Sequence, residues 1–133
     1  MPKTVVRTKA LSYLPHDDYP YSAGTKAPNG MVYTAGLVAW DEKKRLVGLG
    51  DVAAQTRQVL KNLKAVLEAA GATPRDVLKC NVYLSDMRYF AAMNKEFKKV
   101  FSKDPPARTT VLAVLAEPEM LVEIEAVAYV GEK

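Results

Sequence analysis

A chain of 133 residues, 49% apolar and 26% charged, is long enough to bury one continuous core and reads as a single globular domain over residues 1–133. No apolar run approaches the roughly 18 residues of a membrane span, and "MPKTVVRTKAL" lacks the apolar centre of a secretory signal, so a cytoplasmic location is expected. The formal charge is +4, but the cations are dispersed, which reads as solvated surface rather than a nucleic-acid footprint.

In chain order, "KTVVRTK" and "MVYTAGLVAW" read as two β-segments, and the proline- and aspartate-rich "LPHDDYPYSAGTKAPNG" between them as loop. The dipeptide Asn29-Gly30 is a turn signal just before the second segment. "DVAAQTRQVLKNLKAVLEAAG" then predicts an amphipathic helix over 51–71. Asp51 is the N-cap, Gly71 follows the C-terminus, and Val52, Thr56, Val59, Leu60, Leu63, Val66, Leu67 and Ala70 form the inward stripe. "DVLKCNVYLS" alternates as a strand, placing Cys80 with Leu78, Val82 and Leu84 as a buried, inert thiol; as the only cysteine it has no partner for an internal disulfide. "DMRYFAAMNKEFKKVF" predicts a second helix with Phe90, Met93, Phe97, Val100 and Phe101 inward, ended by "SKDPP". "ARTTVLAVLA" and "LVEIEAVAYV" close the chain as two strands that a short turn would join as a hairpin.

The order β-β-α-β-α-β-β predicts an α+β fold, a mixed sheet with two helices on one face. The other face would need polar residues or a partner, and the few charges on the last two strands point to an oligomer.

Two tempting motifs are set aside. "GLGDVA" fits a dinucleotide fingerprint, but the segment before it is short and charged, and Asp51 would put negative charge where a pyrophosphate belongs. His16, the only histidine, sits in a loop with two aspartates and reads as a solvated residue, so no metal site is expected.

Arg108, between "PP" and a run of β-formers, poses the main question. A guanidinium stays charged, so it either points into water or waits for an anion. In the last strand, alternation sends Val122, Ile124, Ala126 and Ala128 to one face, and Glu123 and Glu125 to the other. A terminal hairpin would bring Arg108 level with this acidic pair, as a site or as an ordinary surface ion pair.

The segments "PYS", "GDVAAQTRQVLKNLKAVLEAAG", "FAAMN", "PPARTTV" and "VEIEAVA" occur in an order that resembles the YjgF/RidA family of enamine/imine deaminases, also labelled L-PSP endoribonucleases. The resemblance implies a chorismate-mutase-like fold, a homotrimer with clefts between subunits, and cofactor-free hydrolysis of 2-iminopropanoate or 2-iminobutanoate to a 2-oxo acid and ammonia. It assigns Arg108 to the substrate carboxylate and Glu123 to the attacking water. Tyr21 would cover the substrate from a neighbouring chain, Asn94 would line the cleft, and Ala35 and Gly36 would bring main chain close to it. Glu125 is left structural. The chain departs from the family's "SGQ" at Ala35 and Leu37, has one extra residue in "KAPNG", and carries Thr110 where many relatives have cysteine. A trimer that binds small carboxylates without turnover, and an endoribonuclease or translation inhibitor, are the alternative readings.

Overall fold

The computed structural model describes residues 2–131. Strands β1 (Thr4–Val6), β2 (Gly24–Lys26), β3 (Met31–Thr34), β4 (Val77–Leu84), β5 (Ala107–Leu112) and β6 (Val122–Tyr129) form one mixed sheet in the order β1-β2-β3-β6-β4-β5. Helices α1 (Val52–Ala69) and α2 (Phe90–Val100) lie on one face of it. The fold is α+β, as the sequence predicts.

α1 forms where the stripe and caps place it. The Asp51 carboxylate accepts the Ala54 N–H at 3.0 Å, and Gly71 takes φ +81° just past the C-terminus. With its first turn capped in this way, the segment "GLGDVA" is the entry to a helix and not a phosphate cradle. Val59, Leu63 and Val66 are fully buried against β6 and β3. α1 and α2 are joined by Glu96, buried between Arg57 at 3.2 Å and Lys99 at 3.0 Å.

Four expectations are corrected. β2 lies inside the segment that reads as loop: Gly24, Thr25 and Lys26 pair with Thr34, Tyr33 and Val32 across the Asn29-Gly30 turn. Its loop-like composition has a packing reason. A Cβ at Gly24 would stand 2.8 Å from Val66 Cγ1, so only glycine lets α1 sit this close.

The last two strands are not a hairpin. β6 inserts between β3 and β4, antiparallel to both, while β5 pairs in parallel with the far side of β4. Burial explains the choice. Val122, Ile124, Ala126 and Ala128 are all at most 3% exposed, so β6 must be central. β5 is an edge strand, exposed at Val111 and Leu112, and the chain has left it before Val114, which is wholly exposed.

The third correction concerns Leu78, which is exposed while Val77 and Cys80 are buried. A register shift between Val77 and Lys79 breaks the alternation, as a bulge does. In α2, Phe90 is also half-exposed instead of inward, whereas Met93, Phe97 and Phe101 are buried as expected.

The face without helices exposes Tyr33, Val111 and Tyr129. Among the described residues, no helix is long and apolar enough to cross a membrane.

Candidate functional site

The sequence-predicted residues fall into two groups that do not meet. Arg108 stands opposite Cys80 in the β4–β5 register, and Cys80 is fully buried on the helix-covered side. Glu123 stands opposite Tyr83 in the β4–β6 register, between the buried Val122 and Ile124, and so projects from the other side. No ion pair between them forms within the chain, which corrects the hairpin reading.

The first group is a basic cleft where α2 meets β5. The Arg108 guanidinium lies over the Phe97 ring at 4.8 Å from the centroid and the Phe90 ring at 5.5 Å. Its Nη1 is 3.9 Å from Met93 Sδ. Asn94 lines the same cleft of about 510 Å³, with Phe97, Phe101 and Pro106. Arg108 is partly buried, and burial pulls its pKa below the usual value. Among the described residues no carboxylate pairs with it. An aromatic seat with no counter-ion leaves the guanidinium fork free for an external carboxylate.

The second group gathers Tyr21, Ala35, Gly36 and Glu123 around a cavity of about 520 Å³. Glu123 is brought there by β6, and Gly36 is held beside it by reciprocal main-chain bonds between Leu37 and Ile124 at 2.9 and 3.0 Å. A Cβ built on Gly36 would lie 2.9 Å from Glu123 Cδ and closer still to Oε2, so a methyl there would push the carboxylate out of place. Burial, and then the Glu125 charge, raise the Glu123 pKa above its ordinary value. Glu125 itself accepts bonds from the Tyr83 hydroxyl at 3.0 Å and Asn81 Nδ2 at 3.2 Å, which fits a structural part. Tyr21 is half-exposed, and burial and the nearby Glu123 raise its pKa, so it stays a neutral hydroxyl.

The two departures at 35 and 37 separate here. Ala35 lines the cavity, whereas Leu37 is 2% exposed within the core. The change at 37 is therefore a packing change, and only the one at 35 alters the cavity wall. Cys80, with its pKa pushed up to about 12 by burial, is an inert core thiol. His16 lies in an exposed loop, where its Nδ1 accepts the Asp18 N–H at 3.1 Å.

Sequence reasoning misses Tyr19, Val38, Trp40 and Met120, which with Ala116 and Glu117 complete the cavity wall. It also misses two buried polar side chains of α1 that position the loops around it. Gln55 donates to Gly48 O at 3.1 Å and Glu119 O at 3.0 Å, and accepts the Leu121 N–H at 2.9 Å. Asn62 donates to Val38 O at 3.0 Å and Trp40 O at 2.8 Å. Their signal was present: both lie on the apolar stripe, at positions where an unpartnered amide would be costly.

Comparison with known proteins follows the same lines. The family model described as Endoribonuclease L-PSP matches residues 14–130. The RutC family protein PH0854 of Pyrococcus horikoshii is 46% identical over 110 residues, spanning 83% of this chain and 86% of that protein. Among solved structures, YyfA of Yersinia pestis, described as a Rid family protein of unknown function, superposes with TM-score 0.86 at 34% identity, covering 97% of this chain and 100% of that one. RidA from an Antarctic Psychrobacter superposes with TM-score 0.84 at 34% identity, covering 96% and 99%. With the family model matched over residues 14–130 and a relative 46% identical over most of both chains, this protein belongs to the YjgF/RidA (L-PSP) family.

Proposed function

We propose that the chain is a 2-imino-acid deaminase, hydrolysing 2-iminopropanoate, 2-iminobutanoate and related imines in clefts shared between the subunits of a homotrimer. The observation that carries this reading is the split site. A free guanidinium and a carboxylate of raised pKa project from opposite sides of one sheet, so each needs the other from a second copy. The exposed Tyr33, Val111 and Tyr129 on the helix-free face supply apolar surface for such a contact.

In a cleft of this kind Arg108 of one protomer holds the substrate carboxylate bidentately, which fixes C2 beside Glu123 of its partner. The Glu123 carboxylate takes a proton from water as the oxygen attacks C2 of the protonated imine, giving a neutral tetrahedral carbinolamine. Glu123 returns that proton to the nitrogen and then accepts the hydroxyl proton as the C–N bond breaks, so ammonia leaves, the C–O bond becomes C=O and the 2-oxo acid remains. These steps need only water and proton transfers carried by Glu123, so they call for no cofactor.

The direct test generates the imine with a serine or threonine dehydratase, traps what persists with semicarbazide, and follows the trapped species with and without this protein. Faster loss of the imine is expected. No acceleration, together with Arg108-dependent binding of a 2-oxo acid, would make this a binding trimer; RNA cleavage that follows the protein peak and survives loss of Arg108 would favour the endoribonuclease reading.

The pH profile carries its own expectation. A base must be ionised, and the Glu123 pKa is raised, so the acid limb of kcat/KM should lie above the ordinary carboxylate value of 4.5. Removing the second cause with Glu125→Gln should move that limb downward, as measured by a pH–rate series. The same shift bears on stability. The folded chain binds the Glu123 proton more tightly than the unfolded chain does. Its contribution is therefore favourable at low pH and is lost as pH rises through the raised value.

A further inference from the structure

The cavity beside Glu123 spans about 520 Å³ in the single chain, open on the side that a second copy would cover, and much of its wall is aromatic or apolar. We infer that the preferred substrates are 2-imino acids with bulky apolar side chains, aromatic ones included, received by Tyr19, Ala35, Val38, Trp40 and Met120. This rests on the deaminase reading above and names its substrate class.

The argument begins with the three substituents of C2. The carboxylate is drawn to Arg108 of a neighbouring copy, and the imine nitrogen and C2 must stay within reach of Glu123. With the carboxylate turned toward the Arg108 cleft, the remaining substituent lies against the wall of the Glu123 cavity, next to C2. At its floor Ala35 offers a methyl group, and Met120, 2% exposed, an adaptable thioether.

That wall is rigid. Trp40 packs edge-to-face on Tyr13 at 5.6 Å and on Tyr19 at 6.2 Å, and Tyr13 meets Tyr19 at 6.5 Å, so the three rings brace one another. Lys44 adds a cation 4.3 Å from the Tyr19 centroid and 5.6 Å from that of Trp40. Asn62 pins the main chain of Val38 and Trp40 from below. A braced apolar wall next to the reacting carbon needs no ordering when a large side chain arrives.

Charge sharpens the choice. Glu117 at the rim and Glu123 within are both acidic, which disfavours imines of acidic amino acids. A basic side chain would reach Glu117, but Lys44 already supplies a cation to Tyr19 and Trp40. An uncharged side chain gains burial without either conflict, about fourfold in affinity per buried methylene.

The test uses a D-amino-acid oxidase with catalase to generate imines from alanine, leucine, phenylalanine and arginine, comparing kcat/KM for the wild type, Trp40→Val and Ala35→Leu. The phenylalanine-derived imine is expected to exceed the alanine-derived one at least about tenfold. Both variants should lower that ratio, Trp40→Val by removing the wall and Ala35→Leu by filling the floor, so the outcome does not depend on one variant folding. A wild-type ratio at or below one, a preference for the arginine-derived imine, or ratios unchanged in both variants would overturn the inference while leaving the deaminase reading intact. Acceleration of none of the imines would overturn both.

Discussion

Arg108→Ala is expected to lower kcat/KM for imine hydrolysis by at least about a hundredfold while leaving the fold nearly as stable as before. The size of the kinetic effect follows from the loss of the only fixed cation in its cleft that can bind a carboxylate bidentately, comparable to removing a preorganised charge-stabilising donor. The small effect on stability follows from its surroundings. Arg108 pairs with no carboxylate among the described residues, so its removal leaves no buried anion unmatched. What is lost is stacking over Phe97 and Phe90, worth about 1 kcal/mol. Lysine should rescue poorly, because a point charge cannot reproduce the fork. Steady-state kinetics beside a thermal melt separate the two effects; full activity in Arg108→Ala would remove the carboxylate-anchoring role.

The second large effect is expected at Gln55, far from any bond that reacts. Gln55→Ala strips a partner from the Leu121 N–H and from the Gly48 and Glu119 carbonyls in one step. Leaving such groups unpaired costs about 1–3 kcal/mol each before relaxation, so a total of roughly 3 kcal/mol and a Tm lower by roughly 10 °C are expected. Activity should fall as well, because Glu119 and Leu121 flank Met120 of the cavity wall and lead directly into Glu123. A melt unchanged from wild type would show that loop to be held by other contacts.

Local features of this chain were legible because they are written in local spacing. The α1 stripe, the Asp51 cap, Gly71 and the alternation that buries Val122 through Ala128 all follow from periods of 3.6 and 2. Strand order was not legible. Whether β6 pairs with β5 or slips between β3 and β4 depends on which strand has the best-buried face, a comparison across the whole sheet. That single difference moves Arg108 and Glu123 from neighbours to opposite sides.

The meaning of Ala35 and Leu37 was hidden for a related reason. Strict alternation would put both on one face, but β3 ends at Thr34, and past it Ala35 lines the cavity while Leu37 enters the core. The braced rings Tyr13, Tyr19 and Trp40 come from segments that read as loop or strand end, with no period to link them. The resemblance supplied the roles of Arg108, Glu123, Tyr21 and Asn94. The geometry adds that Arg108 and Asn94 line one cleft, and Tyr21 and Glu123 a separate cavity.

The central claim, that a working site takes Arg108 from one copy and Glu123 from another, is tested most directly by subunit mixing. Arg108→Ala and Glu123→Gln chains carrying different affinity tags would be expressed together, and assemblies holding both tags purified and assayed beside each variant alone. Each variant alone should be nearly inactive. In a cyclic trimer assembled at random from equal amounts, about one interface in four joins an intact Arg108 to an intact Glu123, so about a quarter of wild-type activity should return before enrichment for mixed assemblies. Mixed assemblies no more active than the separate variants would contradict the account, since Arg108 and Glu123 would then have to act from within one chain or not together at all.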